Sequence, residues 1–199
     1  MLNWKNYFTY QQSLFLKKPF APVIGNHDDY HNQFKLHFNL NYTSFDTTKK
    51  STYTYIYGDA QFFAINSELW NNSTTYMTSL KKWMQDSVNA HKDIKWRIVY
   101  FHRPVYTGAK DEQNTPWCVP TWFNTLAPLF DELNISLVLQ GHSHIYDVIG
   151  PVYNKNTVSG SVSGVTTVNE YFPQNASSKS GGFFNVQEGT LYFTNVEVN

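Results

Sequence analysis

The sequence predicts a layered α/β fold with mixed strand pairing, and three observations carry that expectation. Stretches with apolar residues at helical spacing alternate with short apolar strands. Two β-rich runs are separated by a Gly-Asp pair, the chemistry of a tight hairpin. Polar, metal-capable residues gather just beyond the ends of the apolar strands, where functional groups of such sheets collect.

The elements follow in order. Residues Asn3 to Lys18 set Trp4, Tyr7, Phe8, Leu14 and Phe15 on an imperfect helical face that Pro19 ends. "FAPVIGNHDDY" reads as a short strand, Ala21 to Ile24, breaking at Gly25. Thr52 to Tyr57 and Gln61 to Ile65 form the two arms of a hairpin around Gly58-Asp59. Tyr76, Leu80, Trp83, Met84 and Val88 mark a helix from Thr75 to His91, and "KWRIVYFH" follows as a buried strand ending at His102. A third helix, Pro120 to Leu133, precedes the apolar strand that leads into "GHSHIYD". Beyond it, "SGSVSG" and "SSKSGG" punctuate short strands, the last within "TLYFTNVEV".

Composition bounds the function. The 199 residues suit a single domain with a sizeable core, and 41% hydrophobic with 18% aromatic residues is far from a disordered composition. Fifteen basic residues balance fifteen acidic ones, so net charge points to no nucleic-acid or anionic-membrane partner, and no apolar run has the length of a membrane span. Oligomeric state is not legible. The single Cys118 excludes an internal disulfide framework and a cysteine zinc cage. The opening "MLNWKNYFTYQQSLFLKK" lacks the layout of a secretory signal, while the Asn, Thr, Ser and Tyr richness leans toward a secreted or cell-surface protein. Sequons at Asn41, Asn71, Asn72, Asn134 and Asn175 carry little weight in so Asn-rich a chain.

Three strand exits hold the informative residues: "GNHDD" after "APVI", "FHRPVY" after "RIVY", and "GHSHIYD" after "SLVLQ". A lone histidine is usually a structural one, but three coincident exits favour a shared site. Imidazole nitrogens suit zinc, iron and manganese, and an Asn oxygen adds a harder neutral donor, so Asn26, His102, His142 and His144 make a partial metal set. Two histidines at i, i+2 in extended backbone would project to one side, and Gly25 and Gly141 would allow the turns that bring the loops together. Asp28 is expected to cap a turn or orient a histidine, and Arg103 to hold an anion or pair with a carboxylate. His31, His37 and His91 lack such a setting and read as structural or solvated, and the alternating aromatics of "TYTYIY" read as sheet packing.

Together "GNHD" at 25 to 28, "FHRPVY" at 101 to 106 and "GHSHIYD" at 141 to 147 resemble the calcineurin-like metallophosphoesterase superfamily, in particular its purple acid phosphatase-like branch. The resemblance implies an α/β/β/α sandwich and hydrolysis of phosphate esters by a water activated between two metal ions. It implies that Asn26, His102 and His142 ligate one metal and His144 the other, and that His27 contacts the phosphoryl group or protonates the leaving oxygen. The metals would be divalent or mixed-valence iron, manganese or zinc. The family pattern also includes an Asp-x-His/Gly strand exit and a Gly-Asp motif upstream of "GNHD", and neither occurs among the 24 residues before Gly25. Residues 1–199 are therefore expected to be one N-terminally truncated domain that lacks its first strand-helix units and binds metal incompletely. The stretch after "FHRPVY" has no further histidines, leaving Tyr106 and Lys110 as guesses for substrate contact. Two rivals remain, a phosphodiesterase or nucleotide hydrolase on the same scaffold and a non-catalytic, metal-poor binding module.

Overall fold

The computed structural model describes residues 2–29, 33–69, 73–109, 121–152 and 190–194. Among the described residues the α-helices are α1 (Leu2–Phe15), α2 (Asn26–Asp29), α3 (Phe34–His37), α4 (Ser73–Ala90) and α5 (Thr121–Glu132). The strands among them are β1 (Tyr53–Tyr57), β2 (Ala60–Ala64), β3 (Trp96–Tyr100), β4 (Leu137–Gln140), β5 (Asp147–Val152) and β6 (Thr190–Thr194). The strands make one mixed sheet in the order β1-β2-β3-β4-β6-β5.

The hairpin forms as its turn residues dictate. β1 and β2 pair antiparallel with Tyr57 opposite Ala60, and Gly58 sits at φ 58°, a conformation that suits a residue without Cβ. From β2 the chain crosses by α4 to β3 and by α5 to β4, and each arriving strand pairs parallel with the one before it. β4 pairs parallel with β6, and β5 closes the far edge antiparallel to β6.

Helical spacing decides which side chains reach the sheet. α4 buries Tyr76, Met77, Leu80 and Met84, and α5 buries Trp122, Leu126, Leu129 and Phe130. Both stripes pack with Phe63, Val99, Val138 and Tyr192 of the strands in one apolar core. The strands themselves are less enclosed than their apolar runs suggest. Trp96 stays 47% exposed and Leu139 40%, so β3 and β4 bury one side better than the other.

A second apolar cluster surrounds α1. Trp4 packs on His37 with ring centroids 4.9 Å apart and on Phe38 at 5.5 Å, while Phe15 meets Phe20 at 4.7 Å. His37 is thus a packed aromatic, as expected, and the His91 ring, exposed at the end of α4, lies 2.9 Å from the Ser87 carbonyl. The hairpin aromatics also pack as sheet residues do, with Tyr55 stacked on Phe62 at 4.9 Å.

Two expectations are corrected. α1 ends at Phe15, three residues before Lys18. Residues 21 to 24 are not a strand, because among the described residues they join no ladder. Side chains hold them instead: Tyr100 Oη donates to Tyr53 Oη at 2.9 Å, and Tyr53 Oη donates to the Pro22 carbonyl at 2.7 Å. Burial pushes the Tyr53 phenol up to about 12, so it remains a donor. His31, Cys118, Lys110 and the segments "SGSVSG" and "SSKSGG" lie outside the described residues.

Candidate metal centre

The ladder between β3 and β4 runs past both strand ends and thereby places two histidines side by side. Phe101 N–H donates to the Leu139 carbonyl at 3.1 Å, and Gly141 N–H donates to the His102 carbonyl at 2.9 Å. His102 and His142 follow directly, with their rings edge to face and 5.0 Å between centroids. β2 joins them from the other side, since Ile65 N–H donates to the Tyr100 carbonyl at 3.1 Å.

The loops beyond these strands are fastened to each other. The Gln140 amide accepts from Val105 N–H at 3.0 Å, donates to Thr194 Oγ1 at 2.9 Å and also donates to the Tyr106 carbonyl. Thr107 Oγ1 donates to Ser143 Oγ at 3.0 Å, and Asp147 accepts from Gly108 N–H at 2.6 Å. Gln140 is 5% exposed, so this polar side chain is kept inside by full use of its amide. Tyr106, a guess for substrate contact, is a core residue: it is 6% exposed and packs on Tyr192 and Phe123.

α2 brings in the third partner. Its Asn26 Oδ1 lies 2.7 Å from His102 Nε2, and His142 Nδ1 lies 3.1 Å from the same nitrogen. Asp28 closes this single turn by accepting from Gly25 N–H at 3.2 Å, a turn-capping contact that is one of the two roles expected of it. Neither Gly25 nor Gly141 has a positive φ, so neither turn demands a glycine on backbone grounds. A Cβ at Gly25 would stand 3.1 Å from the His102 ring, whereas one at Gly141 would make only ordinary contact with it at 3.6 Å. Gly25 therefore leaves room for the His102 ring.

The histidine pair is also built differently from expectation. His142 and His144 are not extended; both lie in the left-handed region, at φ 70° and φ 51°. That conformation costs a residue with a Cβ roughly 1–2 kcal/mol, and such strain concentrates at functional loops. It separates the two rings in environment: His142 is half-buried against His102, whereas His144 is exposed. His27, on α2, is exposed as well.

Sequence reasoning missed a fourth contributor, the loop after β2. Ser67 Oγ accepts from Arg103 N–H at 2.9 Å, and Arg103 Nε donates to Glu68 Oε2 at 2.8 Å in an ion pair whose side chains are only 12% and 5% exposed. Of the two expectations for Arg103, pairing with a carboxylate is the one found. Its NH1 reaches on to His142 Nε2 at 3.3 Å. Treating the end of β2 as a strand exit like the others would have brought "NSEL" into view.

The donor chemistry suits one cation. Burial, then the charges of His142, Arg103, His27 and His144, pushes His102 down to about 3, so its ring is neutral and offers a lone pair. Arg103 can only donate, which makes His142 Nε2 an acceptor and puts the hydrogen of the neutral ring on Nδ1, aimed at His102 Nε2. His102 Nε2 must then accept, yet Asn26 Oδ1, 2.7 Å away, is an acceptor too. Two acceptors facing each other across 2.7 Å form an arrangement that a cation would satisfy. A second ion is not matched in the same way. Among the described residues no group of three or more His, Cys, Asp and Glu side chains is arranged to hold a metal.

The comparisons follow from this geometry. A family model for calcineurin-like phosphoesterases matches residues 2–146, a stretch that contains Asn26, His27, Asp28, His102, Arg103, His142 and His144. The chain belongs to that family. A solved purple acid phosphatase from yellow lupin (Lupinus luteus) seeds is similar to this chain at 19% identity over 75% of its length, with a TM-score of 0.44. The chain spans 23% of the length of that solved protein. No curated protein matches it. None of its described helices is long and apolar enough to cross a membrane.

Proposed function

We propose that this phosphoesterase chain carries the cation-binding half of a phosphate-monoester hydrolase of the purple acid phosphatase-like branch. The observation that supports the reading is the approach of Asn26 Oδ1 and His142 Nδ1 to one nitrogen of His102, from three separate segments of the chain. These three residues would hold one divalent cation, zinc, manganese or iron. When bound, such an ion supplies charge neutralisation at phosphorus and a water of lowered pKa.

The side chains do the rest. His27, exposed on the turn that carries Asn26, would meet a phosphoryl oxygen or return a proton to the leaving oxygen. Asp28 holds that turn closed from behind through Gly25 N–H. His144 would serve a second ion only with carboxylates from outside the described residues, and in this reading those lie upstream of Met1, so that residues 1–199 are the larger, C-terminal part of the domain. A secreted or cell-surface location fits the composition.

The test is hydrolysis of p-nitrophenyl phosphate and bis(p-nitrophenyl) phosphate with added zinc, manganese or iron(II), beside calorimetric binding of each ion, on this chain and on an upstream-extended one. Preference for the monoester, stronger in the extended chain, is expected. Preference for the diester would replace the reading with a phosphodiesterase. A bound ion without hydrolysis of either ester in the extended chain would establish the binding-module rival.

A further inference from the structure

The Glu68–Arg103 pair touches the candidate centre without belonging to it, and its direction of action can be read from hydrogen-bond chemistry. Glu68 is nearly enclosed and fixes Arg103 through Nε, while Ser67 fixes the backbone of Arg103. The anchored guanidinium therefore has little freedom, and its NH1 meets His142 Nε2. A guanidinium carries donors only, so this contact holds the hydrogen of His142 on Nδ1, the nitrogen that faces His102 and Asn26. A cation at those residues needs Nδ1 bare. Ligation by His142 thus requires its hydrogen to move to Nε2, where it would point at the donors of Arg103.

We propose that Arg103, anchored by Glu68, competes with the cation for His142 and thereby sets the cation affinity of the site. The inference rests on the reading of His142 as a cation ligand. Cation entry must break the contact between the guanidinium and the imidazole, while Glu68 goes on neutralising Arg103. Without Glu68, a full positive charge would stand beside the ion.

Arg103→Met tests this directly, since it removes both the charge and the contact while keeping a long apolar stem. Two readouts are taken on the whole chain, zinc affinity by calorimetry and the nitrogen-15 shifts of the His142 ring in the zinc-free protein. The expected result is zinc binding about tenfold tighter, the scale on which partners behind a ligand act, together with a change of His142 from one tautomer to a mixture. If Arg103→Met fails to fold because Glu68 is left buried and unpaired, the neutral pair Glu68→Gln with Arg103→Met carries the same expectations. Unchanged or weaker zinc binding, or a His142 ring that keeps its native tautomer, would overturn the proposal. His142→Ala separates the two levels. Weaker zinc binding in His142→Ala with no gain in Arg103→Met removes only the competition, whereas native zinc binding in His142→Ala removes the ligand reading and the competition with it.

Discussion

The candidate site has an inner and an outer half, and they differ in how the chain holds them. The inner residues Asn26, His102 and His142 are half-buried and linked by contacts of 2.7 and 3.1 Å. The outer residues His27 and His144 are exposed. Yet His27 shares a helical turn with Asn26, and His144 shares a strained loop with His142. Neighbours in sequence therefore divide between a fixed, neutral donor cluster and a rim open to solvent. On the proposed function, the difference makes ion retention and substrate chemistry separable, one depending on the sheet and the other on single exposed rings.

The largest effect should come from breaking the inner half at its centre. His102→Ala removes the nitrogen that both partners approach, and zinc affinity should fall by more than about 100-fold, beyond the loss seen for groups behind a ligand, as read by calorimetry. Next, His27→Ala should lower hydrolysis by roughly 100- to 10,000-fold, the range for a general acid, while zinc affinity stays native. A parallel loss of zinc would erase the division between the halves. Gly25→Ala should cost about 1–3 kcal/mol in urea unfolding by overpacking, because its Cβ would press on the His102 ring at 3.1 Å. The smallest effect belongs to the outer loop residue: His144→Gly should leave binding of the first zinc unchanged and stabilise the chain by about 1 kcal/mol through relief of its left-handed backbone.

These outcomes also measure how far the sequence could be read. The hairpin, the two long helices and the adjacency of His102 and His142 were legible, because apolar periodicity and parallel strand exits follow from local chemistry. The Ala21 to Ile24 segment was misread, since an apolar run does not say whether a neighbouring strand exists to pair with it. The glycines were noticed for the wrong reason: the ring that needs the space beside Gly25 is His102, 77 residues along the chain. The left-handed backbone at His142 and His144 was invisible, because even a residue type enriched there adopts it only in a minority of cases. Glu68 and Ser67 were missed because nothing in "NSEL" stands out until Arg103 is seen beside it.

One bond of the sheet extension has a practical consequence. Gly141 N–H is held by the carbonyl of His102 itself, so the amide cannot meet solvent unless the two histidine-bearing segments part. Its hydrogen-exchange rate is therefore a clock for opening of the cluster, readable at a single peptide group without metal, substrate or turnover.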